Sequence, residues 1–249
     1  WNTFNRTLWT AGWMFEHAFN DDLTFSQSAR RTHVDSLYRG VVTNGALNAD
    51  GRTQARRATY GTGDSDGDTF DTRLQARFST GGVDHVALLG WDWQRADWEG
   101  VRGAMSSPRP IDIFNPVYSG YLPQVTSLSP TEGSNRQSGV YLQDQLAVGQ
   151  WRLTVGGRYD WTKDDASSAT RNPVTGATVT QPRSVIKNEA FTGRAGVLYV
   201  FDNGVTPYVS YAESFQPSST SPLNNFDGTA FDPVTGTQWE AGVKYQPAG

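Results

Sequence analysis

The chain of 249 residues has no cysteine, which excludes a disulfide framework and a thiolate metal site. It has no uninterrupted apolar run of the roughly 18 residues that a membrane-crossing helix needs. It lacks a basic surplus: 21 Lys and Arg stand against 25 Asp and Glu, a formal net charge of −4. Nucleic acid is therefore not an expected partner. Helical periodicity is almost absent. The opening residues "WNTFNRTLWTAGWMFEHAFN" contain no basic segment followed by an apolar one, so they are not expected to be a signal peptide. They read as the inside of a strand, and the chain is expected to be a piece of something longer. Mean hydropathy is −0.55. That value does not exclude a membrane, because strands that alternate lipid-facing and lumen-facing residues average out as polar.

What is present is period-two alternation. Trp151, Leu153, Val155, Gly157, Tyr159 and Trp161 share one side, and Arg152, Thr154, Arg158 and Asp160 share the other. Phe70, Thr72, Leu74, Ala76 and Phe78 alternate with Asp71, Arg73, Gln75 and Arg77. The pattern predicts nine strands, at 8–19, 23–40, 53–79, 84–98, 137–148, 151–165, 188–201, 205–217 and 236–247. Short turns ("NDD", "TGGV", "VGQ", "DNG") alternate with long segments at 41–52, 99–136, 166–187 and 218–235. Ten of the twelve prolines fall in or beside the last three of these segments, where a missing donor disturbs no ladder. The expected fold is all-β: an antiparallel up-and-down meander with tight turns at one end and large loops at the other.

Aromatic spacing tells which environment that meander suits. Trp9 and Phe19 lie ten residues apart on one face, as do Trp151 and Trp161, and Phe191 and Phe201. Ten residues in a strand tilted by roughly 40° climb about 25 Å, the height of the apolar band of an outer-membrane barrel. These six are the expected membrane-interface aromatics. The opposite face carries Asp71, Arg73, Gln143, Gln145, Arg152, Arg158, Arg194, Glu240 and Lys244, which suit a hydrated or plugged lumen. Nine strands with two open edges cannot close in a bilayer, so a transmembrane β-barrel fragment is expected.

Several stretches carry a family likeness: "DTRLQARFSTGGVDHVALLGWDWQR", "GVYLQDQ", "LTVGGRYDW", "FTGRAGVLYVFDNGVTPYVSYAESFQPSS" and "FDPVTGTQWEAGVKYQP". Over residues 8 to 247 the sequence resembles the barrel of TonB-dependent ferric-siderophore receptors of the outer membrane, nearest the ferrichrome (hydroxamate) branch. The resemblance implies a monomeric barrel of about 22 strands in the outer membrane of a Gram-negative bacterium, plugged by an N-terminal domain. Its partners would be a ferric siderophore, outer-membrane lipid and the TonB complex, which is reached through a plug that these residues do not include. No TonB box and no terminal strands are seen either. The residues 1–249 are thus expected to be part of one barrel domain, with short turns facing the periplasm and long segments outside the cell.

A ferric siderophore brings its own iron ligands, so its receptor needs aromatic walls and hydrogen-bond donors rather than metal ligands or a cofactor. Candidates at the loop ends are Tyr38, Tyr60, Trp98, Phe114, Tyr118, Tyr121 and Phe215, with Trp98, Tyr118 and Tyr121 foremost because the segment from residue 99 is the longest and most aromatic. The stretch "GDSDGDTFD" suggests a calcium loop, but Thr69 and Gln75 stand where an EF-hand has Gly and Glu, so it reads as an acidic strand. His17, His33 and His85 are too far apart in sequence to suggest a metal site. No paired carboxylates, nucleophile elbow or other catalytic set is fixed, so no enzyme is expected. A passive porin and a secreted all-β binding protein are the rival classes; an upstream plug would exclude the first, and insolubility without detergent the second.

Overall fold

The computed structural model describes residues 2–118, 123–218 and 229–246. Among these residues the chain is all-β. The strands are β1 (Thr3–Ala18), β2 (Leu23–Leu47), β3 (Thr53–Thr80), β4 (Val83–Met105), β5 (Ile111–Asp112), β6 (Val125–Val148), β7 (Trp151–Arg171), β8 (Thr178–Thr180), β9 (Ser184–Tyr199), β10 (Val205–Gln216) and β11 (Val234–Tyr245). Nine form an antiparallel meander in the order β1-β2-β3-β4-β6-β7-β9-β10-β11, while β5 pairs with β3 and β8 with β7. The nine strands expected from alternation are thus all present.

The turns follow from their residues. Asn20 Oδ1 accepts hydrogen bonds from the backbone N–H groups of Asp22 and Leu23, at 2.9 and 2.8 Å, closing the β1–β2 turn. Gly81 and Gly82, at φ of 56° and 85°, supply the left-handed backbone that the β3–β4 turn requires.

The strands reach further toward the loop end than the sequence pattern suggests. β2 continues to Leu47, with a register shift between Thr43 and Leu47, and β4 continues to Met105. β6 begins at Val125, so much of the segment read as a loop over 99–136 is ladder. β3 is one uninterrupted strand of 28 residues. The reason is mutual support: Val101 pairs with Pro130 and Gly103 with Leu128, so each polar extension has a neighbour of equal reach. Hydrophobic alternation fades there while the backbone pairing persists.

No compact core exists among the described residues. Apart from Pro108 and Pro123, Ala58 and Ile186 are the only buried apolar side chains among these residues, and no large side chain is fully buried. The register instead sorts the sheet into two faces. Leu74, Leu89, Leu142 and Gly157 stand opposite one another across four strands, and all belong to one face. The same face holds two aromatic groups. Toward the turns lie the contacts Phe15–Phe25, Phe78–His85, Trp151–Tyr199 and Tyr199–Phe201. Toward the loops lie Trp9–His33, Phe70–Trp91, Tyr159–Trp161 and Tyr211–Trp239. The charged residues expected opposite the aromatic stripe do occupy the other face.

Candidate functional site

The polar face is organised around Arg158. Its guanidinium spans the strands to Asp92, with Nη2 2.9 Å from Oδ1 and a second short contact from Nη1 to Oδ2. It also donates to Asp160 on its own strand, at 2.7 Å from Nε and 2.6 Å from Nη2. Gln137 adds a third donor to Asp160 at 2.9 Å, and Gln94 donates in turn to Gln137 at 2.8 Å. Tyr141 donates to Asp71 at 3.1 Å while its ring lies 5.6 Å from the Arg158 guanidinium carbon. Two glycines make this possible: a Cβ at Gly139 would meet Arg158 at 2.0 Å, and one at Gly90 would meet the Tyr141 ring at 2.1 Å. Asp71, Asp92, Tyr141, Gln143, Arg158 and Arg194 line a recess of about 500 Å³. Such a surface offers fixed donors and acceptors to a polar body beside it, without holding an unpaired buried charge.

The predicted ligand-contact residues divide among three places. Tyr38 and Trp98 project from the polar face. Tyr38 meets Phe4 edge-on at 6.2 Å, and Trp98 lies across Gly133. Trp98 sits inside β4, paired with Ser65 and Gly133, rather than in a loop. Tyr60 and Phe215 belong to the face that bears the aromatic groups. Tyr60 packs over Gly103 and Phe215 stands opposite Thr235. Phe114 and Tyr118 are exposed in the segment between β5 and β6, and Tyr121 lies outside the described residues. Of the expected interface aromatics, Trp9 and Trp161 join the loop-side group, where Phe191 stands opposite Tyr159. Trp151 and Phe201 join the turn-side one, and Phe19 contacts His17 there.

One device ties a loop to the sheet. Asp112 Oδ1 accepts from the N–H groups of Phe114 and Asn115, at 2.9 and 3.1 Å, and Oδ2 pairs with Arg52 of the β2–β3 loop. Desolvation pushes the Asp112 carboxyl upward, but these three bonds together hold it below its ordinary value. Asp50, in the neighbouring loop, is held low by the Thr53 hydroxyl and by the N–H groups of Thr53 and Arg52.

Sequence reasoning missed a cluster on the aromatic-bearing face. The β2–β3 register sets His33 opposite Asp66 and one step from Asp64. Its Nε2 lies 3.6 Å from Asp64 Oδ2 and its Nδ1 3.4 Å from Asp66 Oδ1. No sequence spacing announces this, because the partners meet only through strand pairing.

An antiparallel meander with no core, one face apolar between two aromatic groups and the other charged, is the wall of a transmembrane β-barrel. The whole chain, residues 1–249, matches the family "TonB dependent receptor-like, beta-barrel", and the chain belongs to that family. It is an outer-membrane family of receptors and transporters in Gram-negative bacteria. The chain is 34% identical over 250 residues to the ferrioxamine B receptor of Salmonella typhimurium (strain LT2), covering 100% of this chain and 33% of that protein. It is 35% identical over 271 residues to the ferrichrome outer membrane transporter/phage receptor of Escherichia coli K12, covering 99% and 34% respectively. The chain therefore spans about a third of the length of the curated relatives it matches. In fold it resembles the ferric-catecholate import receptor Fiu of E. coli K12, with a TM-score of 0.80 at 21% identity over 98% of this chain and 38% of that one. The ferric preacinetobactin receptor BauA of Acinetobacter baumannii gives 0.75 at 20% identity over 98% and 36%.

Proposed function

We propose that the chain forms part of the barrel wall of a monomeric receptor that binds a ferric hydroxamate siderophore and imports it with energy supplied by TonB. The observation that carries this reading is the match, along essentially the full chain, to receptors named for ferrioxamine and ferrichrome at 34 and 35% identity. In this reading the aromatic-bearing face meets lipid, with Trp9, Trp161 and Phe191 at one interface and Phe19, Trp151 and Phe201 at the other. The polar face lines the lumen, beside a plug supplied by the rest of the protein. The work is binding and gated passage, with no bond made or broken.

Tyr38 and Trp98 are the wall residues suited to touch cargo, because both stand on the polar face near the loop end. Phe114 and Tyr118 would reach it from above, and Tyr121 belongs to the same segment. Tyr60 and Phe215 face the other way and are weaker candidates. A different cargo is the second reading, favoured by 28% identity over 92% of this chain to a metal-pseudopaline receptor of Pseudomonas aeruginosa.

The deciding experiment titrates the full-length protein in detergent with ferric ferrichrome and ferric ferrioxamine while tryptophan fluorescence is followed. Saturable quenching by either, absent with a ferric catecholate, is the expected result. Silence toward both hydroxamates would move the assignment to another cargo.

A further inference from the structure

On the aromatic-bearing face, on the loop side of the row that holds Phe70, Trp93 and Trp161, charge is arranged in registered rows. Arg31, Asp68, Arg95, Arg136 and Lys163 stand opposite one another across β2, β3, β4, β6 and β7. Four residues further along, Asp35, Asp64, Glu99 and Glu132 form a row of four carboxylates on adjacent strands. Directly opposed like charges on a sheet are unfavourable. Among the described residues Asp35 and Glu99 form no ion pair. Between these rows lies His33, which faces Asp66 and, diagonally, Asp64.

We infer that His33, Asp64 and Asp66 form a binding site for a divalent first-row transition-metal ion, of which zinc is the representative. One nitrogen of His33 and one oxygen of each carboxylate all lie within 4.8 Å of one another. The two closest approaches, 3.4 and 3.6 Å, are long for hydrogen bonds. The two approaches use different ring nitrogens, and one ion takes only one of them. That pair alone matches two ligand atoms each about 2.0–2.2 Å from a shared tetrahedral ion, roughly 3.3–3.6 Å apart. The other carboxylate closes in from within 4.8 Å. The imidazole is stacked on Trp9, with ring centroids 5.8 Å apart at 27°, which limits its swing. Both carboxylates project from the same face of one rigid strand. The donor set decides the ion class: an imidazole beside two carboxylates suits zinc or nickel, whereas calcium and magnesium ask for oxygen alone. Three protein ligands leave the remaining positions open on the outer side, and the ion offsets carboxylates that Arg31 alone does not balance. Arg31 already spans Asp66 and Asp68, at 3.2 and 3.5 Å, so metal binding releases its hold on Asp66.

The test uses the tag-free, full-length protein in detergent, first stripped with chelator. Zinc is titrated calorimetrically, and cobalt is added to read ligand-field absorption. The expected result is one zinc per chain at micromolar affinity, with His33→Ala weakening it at least tenfold and abolishing the cobalt bands. Asp68→Asn, outside the triangle, changes zinc affinity less than twofold. An Asp64→Asn/Asp66→Asn double variant gives the same loss as His33→Ala and serves if that variant folds poorly. The inference is overturned if wild type binds no zinc, if His33→Ala binds it equally, or if calcium binds as tightly whether or not His33 is present.

Discussion

The indole of Trp98 on β4 occupies the space that a side chain at Gly133 on β6 would need: a Cβ there would lie 2.5 Å from Trp98 Cζ2 and 2.7 Å from the Asp165 carbonyl oxygen. Gly133 is therefore the residue that lets Trp98 rest against the polar wall. Gly133→Ala forces the indole away and Trp98→Ala removes it. Both substitutions should weaken ferric hydroxamate binding about tenfold or more, because aromatic contact surface is lost or misplaced. Fluorescence titration of the full-length protein measures the loss. Unchanged affinity in Trp98→Ala would remove this residue from the cargo path.

Arg158 is the hub whose loss the polar face tolerates least. Replacing it with Met leaves Asp92 and the buried Asp160 carboxylate without their cation. For a fully buried pair such a loss is several kcal/mol; with the Arg158 side chain 29% exposed, about 1–3 kcal/mol is expected. Adding Asp92→Asn and Asp160→Asn should recover part of it, since the stranded charges go with their partner. The electrophoretic heat-modifiability midpoint of the three proteins reports the order, and a triple variant weaker than Arg158→Met would contradict this account.

How much of this was legible in sequence depends on the scale of the interaction. Alternation such as Trp151 to Trp161 against Arg152 to Asp160 reveals both the strand and its faces, because neighbours two apart share an environment. The start of β6 was not legible: Ser127, Ser129, Pro130 and Gly133 have the composition of a loop, and only the ladder to β4 keeps them extended. Contacts across strands were hidden for a related reason. Arg158 finds Asp92, 66 residues away, and His33 finds Asp66 through a register that no local pattern encodes. Tyr60 and Trp98 both read as loop-end aromatics, yet the parity of their strands sends them to opposite faces.

That parity is itself testable. Leu142 is 58% exposed on the apolar face, midway between the two aromatic groups. Leu142→Arg should destabilise the full-length barrel in lipid by about 2–4 kcal/mol, the usual cost of a cation near the bilayer midplane. Thr154→Arg, on the polar face, should cost less than about 1 kcal/mol because water reaches it. Equilibrium unfolding in vesicles separates the two. Equal costs would mean that the faces have been assigned wrongly.

The Asp112 tether gives a prediction with a definite pH sign. Its carboxylate accepts from the N–H groups of Phe114 and Asn115 and from Arg52, so it links the segment bearing Phe114 to the β2–β3 loop. Because the folded carboxyl is held below its ordinary value of 3.8, the ionised form favours the tethered loop. The stabilisation is fully present above that value and is lost as pH falls through the lower, folded one. Protection of the loop against cleavage should thus be flat from about pH 7 to pH 5 and fail only in strong acid. Asp112→Ala should show the unprotected rate at every pH, with the barrel strands still resistant, because their ladders do not depend on this residue. Limited proteolysis with an acid-tolerant protease, followed by mass mapping of the cut sites, distinguishes these outcomes. Loss of protection already near pH 5 would show that a titrating group other than the Asp112 carboxylate governs the loop.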